Sequence, residues 1–158
     1  FRDKRMAENL IWMIDNYYPN EKVIVWTANV HASKHLNEAI YKNGDDRYQQ
    51  LTPLGQLLAD QYGEDNVYSI ACTSSEGSTN GEQGPEKISI PPTSWDYQFA
   101  HDIKDDYAFV DFSQIRKSKY GDKEFESTIM GYQPHMGKWY HIFDGILFIR
   151  KMKPSTFK

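Results

Sequence analysis

Lys22-Val23-Ile24-Val25-Trp26 runs directly into Thr27-Ala28-Asn29-Val30-His31. The first five residues form a short β-branched run, preceded by the turn residues Pro19-Asn20. Apolar residues occupy both parities of the run. A strand of that kind belongs inside a parallel sheet with both faces covered. Thr27 to His35 is small and polar, and it reads as the loop leaving the strand's carboxyl end. Ligands of open α/β sheets sit outside the carboxyl ends of the strands. This loop is therefore the first place to look for chemistry.

Upstream, Met6, Leu10, Met13 and Ile14 recur at helical spacing, with Ala7 and Ile11 on the flank. They predict an amphipathic helix from Arg2 to Tyr17, stopped at Pro19-Asn20. Downstream, residues 36–50 fit a short helix followed by a mobile loop at Asn43-Gly44-Asp45-Asp46. Thr52 as N-cap and Pro53 at the first helical position open another helix. Leu54, Leu57, Leu58 and Tyr62 give it an apolar face, and Gly63 closes it. Val67 to Cys72 reads as a second core strand. Thr73 to Gly84 is rich in Ser, Thr and Gly and reads as a loop. Lys87 to Ile90 is an extended piece. Thr93 or Ser94 then caps a helix reaching His101. Tyr107–Phe112 and Phe143–Ile149 are the third and fourth strands, and 113–138 has no clear period. Strands alternate with helices. The expected architecture is one α/β domain over 1–158, a mainly parallel sheet with helices on both faces.

Composition narrows the function. Eighteen Lys and Arg against 22 Asp and Glu leave a net charge of -4, which gives no pull toward nucleic acid or anionic lipid. No apolar run reaches the roughly 18 residues of a membrane-spanning helix. Neither nucleic acid nor membrane is an expected partner. An aromatic content of 15% argues against disorder. Cys72 is the one cysteine, so an intramolecular disulfide and a Cys-built zinc site are excluded. It reads as a buried structural thiol, and the four Trp residues as core packing. The chain opens Phe1-Arg2-Asp3, without Met and inside a helix. The expectation is a fragment or a processed chain, its compartment open.

His31 is the leading chemical candidate, because imidazole titrates near neutrality and serves as base, acid or charge partner. The alternative is a capping histidine in a loop. Asn29 is placed to orient it or to hold a substrate oxygen. His31 and His35 form an H-x-x-x-H pair, but Ala32 stands where a zinc protease carries Glu, so no metal is expected. On the first helix, Glu8 and Asn9 sit among apolar neighbours. Glu76-Gly77-Ser78 is neither a nucleophile elbow nor a phosphate loop. Asp105-Asp106 reads as a turn and His135 as a surface loop residue.

Several of these segments, taken in order, resemble the erythromycin esterase family. Arg2-Asp3 with Met6-Ala7 and Asn9 is similar to its R-D-x-x-M-A-x-N helix. Lys22 to Trp26 resembles its K-(apolar)3-W strand, and Ala28-Asn29-Val30-His31 its A-H-N-x-H loop. Leu54-Gly55-Gln56-Leu57-Leu58 with Tyr62-Gly63 resembles the M-G-x-x-L…Y-G helix, followed by Tyr68-Ser69-Ile70. Pro91-Pro92 with Ser94 and Trp95 resembles P-P-x-S-x-E. Phe143-Asp144-Gly145 and the apolar run after it resemble the closing strand, with Pro154-Ser155 beyond. The resemblance spans nearly the whole chain.

It implies hydrolysis of an ester or lactone, a macrolide being the family's namesake, by metal-independent attack of water and without a cofactor. The catalytic loop histidine falls on His31. Asn29 and Lys34 are expected to line the mouth, with Arg2 and Glu8 as further substrate contacts. Two departures matter. Thr27-Ala28-Asn29 stands where the family often has W-A-H-N, so the loop's first His is missing, and no G-E-x-x-H-G segment is present. The resemblance therefore implies the C-terminal half of such a protein, inactive alone, whose principal base lies in a missing N-terminal half. A non-catalytic small-molecule-binding module using the same cleft is the alternative.

Overall fold

The computed structural model describes residues 2–41, 48–81 and 84–154. The expected loop at Asn43–Asp46 lies outside them. Helix α1 spans Arg2–Tyr17, the bounds the periodicity predicts. Ala7 is buried, and Met6, Leu10 and Ile11 pack with it against Leu54 and Leu58. Asn20 takes a left-handed φ of 71° just past the helix, a conformation asparagine tolerates.

Residues 22–26 form no strand, which corrects the first expectation. They run beside the domain without a ladder, with Ile24 93% and Trp26 86% exposed. A strand exists only where a neighbour takes its backbone groups, and a run apolar on both parities needs both faces covered. Neither condition is met among the described residues. A one-turn helix α2 (Asn29–Ala32) follows. A 3-10 turn at Leu36–Glu38 leads into strand β1 (Ala39–Tyr41).

Helix α3 (Leu54–Tyr62) begins after Pro53 rather than after Thr52, and no side chain of its own caps it. Gly63 ends it at φ 92°, where a Cβ would be strained. Strand β2 (Ile70–Gly81) continues far beyond Cys72, through the stretch expected to be a loop. Three of its hydroxyl residues are satisfied by partners distant in sequence. Thr73 Oγ1 donates to Asp96 at 3.1 Å, Ser74 Oγ meets the Tyr132 hydroxyl at 3.1 Å, and Ser75 Oγ donates to Arg150 O at 3.1 Å.

Strand β3 (Gly84–Lys87) and helix α4 (Trp95–Asp102) come next, and Ser94 caps α4 through Tyr97 N at 3.3 Å. Strand β4 (Tyr107–Asp111), helix α5 (Ser113–Arg116), strands β5 (Phe125–Ser127) and β6 (His135–Gly137), helix α6 (Trp139–Ile142) and strand β7 (Gly145–Met152) complete the order. One sheet runs β3-β2-β7-β4 and a smaller one β1-β6-β5.

Among the described residues β2 and β7 are the one parallel pair, and every other ladder is antiparallel. The mainly parallel sheet is thus corrected to a mixed α/β fold with mostly antiparallel strands. For two of the ladders the physical reason is connection length. A parallel return needs a crossover of about a dozen residues, and β3 follows β2, and β6 follows β5, too closely for one.

The core joins both sheets through Phe112, Trp139, Phe143 and Ile146. Trp139 is fully buried, its Nε1 donating to Phe125 O at 2.9 Å, and Trp95 stacks on Phe99 at 4.6 Å. Trp12 and Trp26 are exposed rather than core residues. His135 is buried, not a surface loop residue. Asp96, wholly buried, accepts from Ser127 Oγ at 2.8 Å and Thr128 N at 2.7 Å as well as from Thr73.

Tyr62 fastens α3 to α1, its hydroxyl donating to Asp15 Oδ1 at 2.9 Å. Burial, and then Asp15, push the phenol from 10.0 up to about 12. The folded protein therefore holds this proton more tightly than the unfolded chain. That contribution is complete below pH 10.0 and is lost as the pH rises toward about 12. Urea unfolding across that window should show falling stability, and Tyr62→Phe should flatten the fall.

Candidate functional site

The residues near His31 come from three elements. α2 carries His31, the first turn of α1 supplies Arg2 and Asp3, and the start of α3 closes the group. His31 Nδ1–H donates to the Asp3 carboxylate at 2.9 Å, and the Arg2 guanidinium donates to His31 Nε2. Both contacts are met by a neutral imidazole protonated on Nδ1. Asp3 Oδ2 also accepts the Leu54 N–H at 3.1 Å. One carboxylate thus orients the imidazole and caps α3, in the place expected of Thr52.

The close approach of α2 and α3 depends on Gly55. A Cβ there would lie 2.2 Å from Ala32 O and 2.6 Å from Ser33 O. Those are the carbonyls just past His31, so the glycine lets α3 rest directly on the α2 backbone.

The other site residues named from the sequence divide. Arg2 and His31 are brought together. Glu8 turns away and pairs with Arg5 at 2.8 Å on the exposed side of α1. Asn29 makes structural bonds with its whole amide. Its Nδ2 donates to Cys72 O at 2.7 Å and Ile129 O at 2.8 Å, and its Oδ1 accepts Cys72 N at 2.9 Å.

Lys34 does not line a mouth. It is 2% exposed, with Nζ 2.8 Å from Asp144 Oδ2, 2.9 Å from Glu64 Oε2 and 3.2 Å from Val67 O. Asp144 is itself held by Arg116 at 2.9 Å and by Ser69 N at 2.7 Å. His35 takes a left-handed φ of 46° and faces Glu64 at 3.3 Å, so it does not share a helix face with His31. Among the described residues no group of three or more His, Cys, Asp and Glu side chains is placed to hold a metal ion.

Asp3 is the residue the sequence reading left unassigned. Its signal was adjacency to Arg2 in the R-D pair at the start of α1. Nearby, the Tyr68 hydroxyl donates to Asp111. Burial, and then this bond, raise the phenol well above its usual range. The Asp111 carboxyl is held low by its bond from Ser113 and then by Tyr68.

A cleft of about 810 Å³ opens beside His31. Residues 20–27 line it together with Leu54, Leu58, Val67 and Ile70. Cys72 lies within it, half-buried, its thiol pushed up by burial.

A mixed α/β fold joins an Asp–His–Arg group in which α1 gives Arg2 and Asp3 and α2, just after the apolar run, gives His31. The family model described as erythromycin esterase matches residues 1–152, and the chain belongs to that family. A Bacillus subtilis (strain 168) protein, YbfO, named provisionally as a hydrolase, is 26% identical over 163 residues. That match takes in 98% of this chain and 35% of YbfO, so the chain spans about a third of its relative's length.

Three solved structures share the fold. A Bacillus cereus protein is 24% identical with a TM-score of 0.69, over 97% of this chain and 38% of its own. A succinoglycan biosynthesis protein is 20% identical with a TM-score of 0.75, over 99% and 39%. A mutant of the erythromycin esterase EreC, in its open conformation, is 17% identical with a TM-score of 0.63, over 95% and 36%.

Lys34 offers a direct test of its structural place. Removing the buried member of an ion cluster takes from its partners a charge that offsets their desolvation. Lys34→Met should lower unfolding free energy by about 3 kcal/mol in urea titration. Glu8→Ala, on the solvated face, should change it by less than about 0.5 kcal/mol.

Proposed function

We propose that this chain supplies one wall of the active site of a carboxylic-ester hydrolase that opens an ester or lactone by metal-independent attack of water. The observation that carries the reading is the state of His31. Asp3 fixes Nδ1, so the proton-accepting nitrogen is Nε2, and the Arg2 guanidinium stands beside it. Family membership supports the reaction class. A carboxylate-oriented imidazole next to a cation is the pairing that ester hydrolysis calls for.

The reaction follows from those parts. A base from polypeptide outside this chain, of the kind that fills the rest of the relatives' length, takes a proton from water. The water oxygen attacks the carbonyl carbon and negative charge develops on the carbonyl oxygen. Arg2 turns from Nε2 toward that oxygen and stabilises it. His31 orients the water and relays the proton to the departing alkoxide oxygen as the C–O bond breaks. Acid and alcohol leave, and His31 returns to its neutral form. Asn29 and Lys34 hold the loop in place and do not touch substrate.

The test uses the protein purified at native length from its source, with a p-nitrophenyl ester and a macrolide lactone as substrates. His31→Ala should lower kcat/KM by about 10²–10⁴-fold. Asp3→Asn should lower kcat with KM little changed, because it disturbs the orientation of His31 and leaves the walls intact. Undiminished turnover in His31→Ala would remove this histidine from the mechanism. Saturable binding of the ester without product would favour a binding module.

A further inference from the structure

Asp96 is a buried carboxylate that the proposed reaction leaves without a task. It sits in the first turn of α4 with both oxygens engaged. Oδ1 accepts the Thr73 hydroxyl at 3.1 Å, and Oδ2 accepts Ser127 Oγ at 2.8 Å and Thr128 N at 2.7 Å. The first partner belongs to β2. The other two are the last residue of β5 and the residue after it.

The Asn29 amide repeats the pattern one residue along. It holds Cys72, the neighbour of Thr73, and Ile129, the neighbour of Thr128. A carboxylate thus joins positions 73 and 128, and an amide joins 72 and 129. The Ser127 hydroxyl links the two clamps by accepting Ile129 N at 3.3 Å. Asn29 Nδ2 reaches the Cys72 and Ile129 carbonyls at 2.7 and 2.8 Å. One amide nitrogen meets two carbonyls only while both stay where its N–H bonds point. The spacing of those carbonyls is therefore the seat of Asn29. Asp96 fixes it, because β2 and the segment after β5 cannot part without one of them leaving the carboxylate. Burial makes that parting costly, since a bond lost inside leaves a desolvated oxygen unpaired.

We propose that Asp96 is a positioning residue for His31, acting through Asn29. Asn29 opens the single turn of α2 and His31 is its third residue. A shift of the seat moves that turn. The imidazole then leaves the line of the Asp3 carboxylate, whose 2.9 Å bond selects the Nδ1–H form. The inference rests on the hydrolytic reading for what a fixed His31 is for, and the fixing itself stands on the geometry.

Two valine substitutions within one cluster test it. Thr73 and Thr128 are both wholly buried beside Asp96. Thr73 reaches the carboxylate with its hydroxyl. Thr128 reaches it with its backbone N–H, and its own Oγ1 meets no partner among the described residues. Thr73→Val therefore opens one side of the clamp, whereas Thr128→Val leaves both sides closed. The readout is the nitrogen-15 signal of the His31 ring in the 158-residue protein, identified by its loss in His31→Ala. Thr73→Val should lower the ratio of Nδ1–H to Nε2–H imidazole by about fivefold, the net worth of one hydrogen bond. Thr128→Val should keep the ratio of the unaltered protein. If Thr73→Val fails to fold, Ser127→Ala opens the other side and carries the same expectation. An unchanged ratio in the folded variant overturns the proposal. An equal shift in Thr128→Val overturns it too, because general loosening of the core would then account for the effect. Turnover is not read. An unresponsive ratio leaves the catalytic reading standing, and a protein that binds esters without cleaving them leaves the positioning of His31 standing.

Discussion

The Asp144 carboxylate is where four separate stretches of chain meet. It takes Lys34 from the segment after α2, Arg116 from α5 and the Ser69 N–H from the approach to β2, and it stands at the head of β7. Arg116 also donates to Tyr140 O at 2.6 Å and Phe143 O at 2.9 Å, which ties α6 to the same point. The buried Lys34, the part-buried Arg116 and a backbone donor offset the desolvation of one carboxylate. The arrangement fixes the start of the β2–β7 pair, and that pair carries the rest of the larger sheet. It also fixes the segment that follows His31.

The site is built outward from that fixed frame. Asn29 binds the first residue of α2 to β2, and Lys34 binds the chain just beyond α2 to β7. His31 lies between two anchored points, so its backbone is held before any partner is considered. Asp3 then sets the imidazole from the opposite side. The residues that a sequence reader takes for substrate contacts, Asn29 and Lys34, are the ones that make a positioned histidine possible.

Local rules were legible wherever local forces decide. The apolar spacing of Met6, Leu10 and Ile14 gives α1 its bounds, and Ser94 caps α4 as its position predicts. Where a distant partner decides, the sequence misleads. Thr73 and Ser74 look like loop residues until Asp96 and Tyr132 are seen to satisfy their hydroxyls. Lys22–Trp26 carries a strong strand pattern, yet strand formation belongs to a pair of segments and not to one. The direction of pairing was equally hidden, because alternation of helices and strands does not say which way a chain returns. His31 was found from its place after an apolar run. Asp3 became visible only when α1 and α2 were set side by side.

Gly55 has a further consequence for how variation in this protein is read. It carries no functional group, and the α2 carbonyls fill the space a methyl would need. Any larger residue must pry α3 away from α2, and the two ends of the Asp3 bridge sit on those helices. In a mutational scan, position 55 would therefore score like a catalytic residue. The apolar residues around it would tolerate exchange for others of similar volume. Intolerance at a site of this kind measures a distance being kept, and the smallest side chain is what keeps it.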